Sequence, residues 1–94
     1  MAHEDGERER AQKSLYRPEN RIFLAALRSI RKRAGLTQGE LAIRLGRTQN
    51  YVTASERGVT RLDGLQIRDW VVACGSDLRD WADLVEEGLS QAPN

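Results

Sequence analysis

Apolar residues begin to recur at helical spacing after position 18. Phe23, Leu24, Leu27, Ile30 and Ala34 return at threes and fours, while Arg28, Lys32 and Arg33 largely occupy other faces. This spacing predicts a helix over residues 19–34. Pro18 suits its first turn through its fixed φ, and Glu19 favours the positive helix end. Gly35 is expected as a left-handed C-cap, with Leu36 as an apolar plug behind it. Thr37 and Glu40 have capping-box spacing, and Leu41, Ala42 and Leu45 follow as a short apolar stripe that Gly46 ends. Thr48 is expected to cap a third helix, with Tyr51, Val52 and Ser55 facing inward and Gly58 as its stop. Residues 59–64 are expected as a loop. Leu65, Ile67, Trp70, Val71 and Cys74 predict a fourth helix ended by Gly75. Ser76 is expected to cap a fifth that carries Leu78, Trp81, Leu84 and Val85, with Gly88 closing it. No run alternates with period two for long enough to make a strand.

The pattern therefore predicts an all-α chain of five short helices without repeats. Residues 1–18 are expected as a flexible N-terminal arm, because mixed charges with little apolar content cannot bury a core. Residues 19–89 form the expected domain, and residues 90–94 a frayed C-terminus.

Composition narrows the classes. Ninety-four residues at 39% hydrophobic suit one small domain, and five aromatic residues leave its core mostly aliphatic. No apolar run approaches the ~20 residues of a membrane span, and the N-terminus lacks the apolar stretch of a signal peptide. Cys74 is the single cysteine and His3 the single histidine, so neither an internal disulfide nor a metal site is expected. No nucleophile–base pair and no glycine-rich phosphate loop stands out. The expectation is a cytoplasmic protein that is not an enzyme, with no cofactor, no metal and no membrane partner.

Charge is unevenly distributed. Residues 21–61 carry nine basic groups against Glu40 and Glu56, a balance of +7, whereas residues 62–94 carry Arg68 and Arg79 against seven acids, a balance of −5. A basic pole of this size attracts a polyphosphate backbone, although a solvated basic face would give the same count.

The stretch TQGELAIRLGRTQNYVTASERG, residues 37–58, reads as two short helices joined by a tight turn. Three of its positions are demanding. Ala42 must be small, because the second helix crosses close over the first. Gly46 stands where the chain reverses, and a positive φ there costs other residues ~1 kcal/mol or more. Val52 must be apolar to anchor the second helix. Leu41 and Leu45 supply the buried face of the first.

That spacing fits a helix-turn-helix. The sequence resembles the phage repressor and Cro type, also called the xenobiotic-response-element family, over about residues 20–88. The likeness rests on the lead helix LRSIRKRAGLTQ, on GLTQ, ELA, LG, TQ and ERG in that order and at the right distances, and on the trailing ACGSDLRDW. It implies a five-helix, repressor-like DNA-binding domain. It also implies a regulator, expected to be a repressor, that binds double-stranded DNA at a pseudo-palindromic operator as a homodimer.

The resemblance assigns roles residue by residue. A recognition helix shows its N-terminal polar side chains to base edges, which points to Gln49, Asn50, Thr53 and Ala54. Gln and Asn pair bidentately with adenine, and Thr or Ala packs on a thymine methyl. Relatives carry Lys or Gln where Ala54 stands, which weakens that contact. Gln38 matches a glutamine that touches a phosphate in relatives. Arg44, Arg47, Thr48, Arg57 and Arg61 are expected phosphate clamps, which position a domain without reading sequence. Arg31 and Glu56 match a family ion pair that ties the first helix to the recognition helix. Arg47 and Ser55 stand where the motif prefers apolar residues; Arg47 is expected to turn outward, and the Ser55 hydroxyl to bond a carbonyl four residues back.

Trp70 and Trp81 fit core filling. A dimer surface on the fifth helix and the segment after it, with Trp81, Val85 and Leu89, fits the pattern equally. A charged N-terminal arm and an acidic C-terminal helix leave a second function open. This is an antitoxin-type module that binds a protein partner and represses its own operon.

Overall fold

In a computed structural model the described residues, 17–91, fold into five helices and no strands. These are α1 (Glu19–Arg33), α2 (Gln38–Leu45), α3 (Gln49–Glu56), α4 (Gly64–Ala73) and α5 (Leu78–Gln91). Apart from Arg17 and Pro18, the expected N-terminal arm lies outside the described residues, as do positions 92–94 of the expected frayed end.

Short polar caps set most of these boundaries. The Thr37 hydroxyl accepts from the Glu40 amide at 3.0 Å while the Thr37 amide donates to Glu40 Oε1 at 2.9 Å, satisfying two orphan donors at the start of α2. The Thr37 amide, and after it the Thr37 hydroxyl, hold the exposed Glu40 carboxyl below its usual range. Gly46 closes α2 in the left-handed region at φ 66°, and Thr48 Oγ1 accepts from the Tyr51 amide at 3.2 Å to start α3. A second capping box joins Asp63 and Gln66 at the start of α4. The pattern D-x-x-Q at residues 63–66 is a local signal for this cap, so the loop expected over 59–64 ends at Asp63 and Gly64 is already helical.

Two expectations about α5 are corrected. Asp77, not Ser76, accepts a free amide of the first turn: Asp80 N donates to Asp77 Oδ1 at 3.0 Å. The Ser76 hydroxyl reaches the first turn of α5 only through a side chain, donating to Asp80 Oδ2 at 2.6 Å, while its amide donates to the Val71 carbonyl at 2.8 Å in the turn that closes α4. Gly88 does not end α5, which continues to Gln91. The glycine is there for proximity, since a Cβ at this position would lie 2.6 Å from Ile22 Cγ2. It lets α5 lie close on α1.

Leu27, Ile30, Leu36, Leu41, Ala42, Val52, Trp70 and Val71 form one buried cluster. Trp70 is fully enclosed, and its indole N–H donates to the Leu27 carbonyl at 3.2 Å, so the buried donor is satisfied. Trp81 is half-buried, with its N–H on the Phe23 carbonyl and its ring edge-on to Phe23 at 5.5 Å. Val85 is a core residue, 4% exposed, so it cannot serve as the surface position expected of it. Burial pushes the half-buried Cys74 thiol up, against the pull of Arg44 and Arg31.

Ser55 departs from expectation too. It is completely buried, yet its hydroxyl finds no hydrogen-bond partner, so the bond four residues back is not made.

Candidate nucleic-acid interface

The two helices of the 37–58 unit are positioned by the three demanding residues. Ala42 is 2% exposed beneath α3, and Val52 is fully buried on the other side of the contact. Gly46 provides the reversal between them, donating its amide to the Ile43 carbonyl while Arg47 N reaches the Ala42 carbonyl. α3 is thereby held across α2 with its amino end outward. Gln49 and Asn50 are exposed at that end, and Thr53 and Ala54 are half-exposed one turn on.

Gly39 has an unexpected part in this arrangement. A Cβ there would sit 3.3 Å from Gln49 Oε1, so the missing side chain leaves room for the Gln49 amide beside the start of α2.

Beneath the polar face runs a hydrogen-bonded network that links three helices. Arg31 Nε and Nη2 meet the two oxygens of Glu56 at 2.6 and 3.1 Å, a fork-to-fork pair buried on both sides. Arg31 Nη1 also donates to the Leu36 carbonyl at 2.7 Å, which ties in the α1–α2 turn. Gln38 completes the network: its Nε2 donates to Glu56 Oε1 at 2.9 Å, and its Oε1 accepts from the Thr53 hydroxyl at 2.8 Å. The sequence gives a partial signal for this, because Thr53 and Glu56 are three residues apart and share a helix face. It gives none for Gln38, whose position depends on how α2 crosses α3.

The basic residues are less uniform than the sequence suggests. Arg47 stacks over the Tyr51 ring at 4.1 Å, a cation–π contact that leaves it exposed beside α3. Arg57 is exposed at the C-terminal end of α3. Thr48 is exposed although its hydroxyl caps α3. Arg61 is exposed in the loop before α4. Arg44 turns toward α4 and donates to the Ala73 carbonyl at 2.9 Å, where a cation complements a helix C-terminus.

A short helix, a left-handed glycine turn and a second helix with an exposed polar tip are the parts of a helix-turn-helix. The chain belongs to the helix-turn-helix domain family, which it matches over residues 22–85. That span takes in α1 from Ile22 through most of α5, so the lead helix and the trailing helices fall within the family as well as the two-helix unit. No curated protein and no solved structure matches the chain. No helix among the described residues is long and apolar enough to cross a membrane.

Proposed function

We propose that this protein is a sequence-specific double-stranded DNA-binding transcriptional regulator, acting as a repressor and binding a pseudo-palindromic operator as a dimer. The observation that carries this reading is the exposed amino end of α3, held clear of the core by Ala42, Gly46 and Val52. Gln49 and Asn50 read base edges in the major groove, and Thr53 and Ala54 contact thymine methyls. The α2 amino end at Gln38, with Arg47, Thr48, Arg57 and Arg61, holds phosphates. The Gln38 side chain acts mainly from within, keeping Thr53 and Glu56 in place. The half-exposed side chains of Trp81 and Leu89 supply the apolar part of the dimer surface.

Selection of bound duplexes from a random pool, followed by sequencing, tests the reading. An enriched inverted repeat is expected, with half-sites about one helical turn apart. Absence of duplex binding even at low salt would overturn it.

One observation favours a second reading. Asp83, Glu86 and Glu87 are exposed along α5, a surface suited to a basic protein partner of the kind an antitoxin-type module masks. Purification from the native cell as a stable heterocomplex would support that reading, and a clean homodimer would oppose it.

A further inference from the structure

The cations of α1 fall into two groups. Arg31 pairs with Glu56 on α3, and Arg33 pairs with Asp80 on α5. Arg21, Arg28 and Lys32 are exposed, and none has a carboxylate within ion-pair distance among the described residues. These three lie at helical spacing on one face and line a single open groove with Arg57 at the end of α3. Its floor on α1 includes the small residues Ala25 and Ser29.

This separation has a physical consequence. α5 meets α1 at Ile22, Phe23 and Arg33, away from the groove, and among the described residues the one acid that lines the groove is Glu56, whose carboxylate is already held by Arg31 and Gln38. Four cations with so little local compensation repel one another, and the repulsion is relieved by an extended anion rather than a single one. From Arg21 to Lys32 the helix rises about 16 Å, the axial length of about five base pairs. Small residues between the basic posts let a sugar–phosphate chain approach the helix closely. The groove is continuous with α3 through Arg57.

We propose that Arg21, Arg28 and Lys32 form a second phosphate track, which holds the DNA backbone flanking the half-site that α3 reads. This rests on the DNA-binding reading above. The track adds affinity without sequence information, because each cation meets phosphate and releases condensed counterions.

The test measures duplex affinity against salt for the full chain and for R21A/R28A/K32A, using the duplex selected from the random pool and a scrambled one. All three positions are exposed, so an unchanged melting temperature is expected and verifies folding. The slope of log affinity against log salt should fall in magnitude by about 2 to 3, near 0.9 for each lost contact. Binding should weaken on both duplexes by a similar factor, leaving the preference between them intact. R79A removes a cation from α5 and should leave the slope unchanged. Parent-like slope in the triple variant would overturn the track while the DNA-binding reading stands, and an equal loss in R79A would reduce the effect to net charge and overturn it too. If the parent itself binds no duplex, both readings fall together.

Discussion

Removal of the Glu56 carboxylate leaves Arg31, 6% exposed, with the Leu36 carbonyl as its remaining anchor. An uncompensated charge at such a position costs about 3–5 kcal/mol. In a domain of this size Glu56→Ala should therefore lower Tm by more than about 10 °C by circular dichroism. The sequence motif pointed to the Arg31–Glu56 pair. The depth of its burial, and its link through Gln38 to Thr53, depend on packing. Ser55 offers the opposite change. Its hydroxyl is desolvated without a partner, so Ser55→Ala removes a penalty and leaves only a small void. A gain of about 1 kcal/mol in chemical unfolding is expected, and a loss would mean the hydroxyl is satisfied.

At the scale of the element, helix ends were easier to anticipate than helix contacts. Thr37–Glu40 was visible because a capping box is written in adjacent residues, and the glycines at 35, 46, 58 and 75 all take positive φ as helix stops. Gly88 looked the same in sequence but is a contact residue. Gly88→Ala should gain helix propensity, yet the clash with Ile22 outweighs it, so net destabilisation is expected in thermal unfolding. Adding Ile22→Ala should make the two changes less than additive, and full additivity would contradict the proposed contact.

Capping also gives a pH dependence. Glu40 and Asp77 are held below their usual range, chiefly by backbone amides that donate to their carboxylates. A folded value below the unfolded one means stability that is present above the unfolded pKa, about 4, and lost as pH falls through the folded value. Glu40→Gln and Asp77→Asn should therefore flatten the decline in Tm below about pH 4 relative to the parent.

For the whole molecule, stability and recognition reside in different residues. The core cluster and the Arg31 network hold α3, while Gln49 and Asn50 are exposed at its tip. Gln49→Ala and Asn50→Ala should thus leave Tm nearly unchanged. Each should reduce discrimination between the selected duplex and its single-base variants at the contacted position by about 1–3 kcal/mol in competition binding. A large fall in Tm would instead place these side chains in the packing.

The sequence alone determined whatever is written in neighbouring residues. Helical periodicity, caps, left-handed glycines and the spacing of Ala42, Gly46 and Val52 are local, so they follow from backbone geometry without knowledge of the fold. Even the division of charge between the middle and the end of the chain could be counted. Packing between helices set which apolar residues face inward, as with buried Val85, and which polar ones meet across helices, as with Gln38, Thr53 and Glu56. It also sorted the cations of α1 into those paired across helices and those that, among the described residues, have no ion-pair partner. Those outcomes depend on crossing angles and distances between elements far apart in sequence, which no periodicity within a single helix encodes.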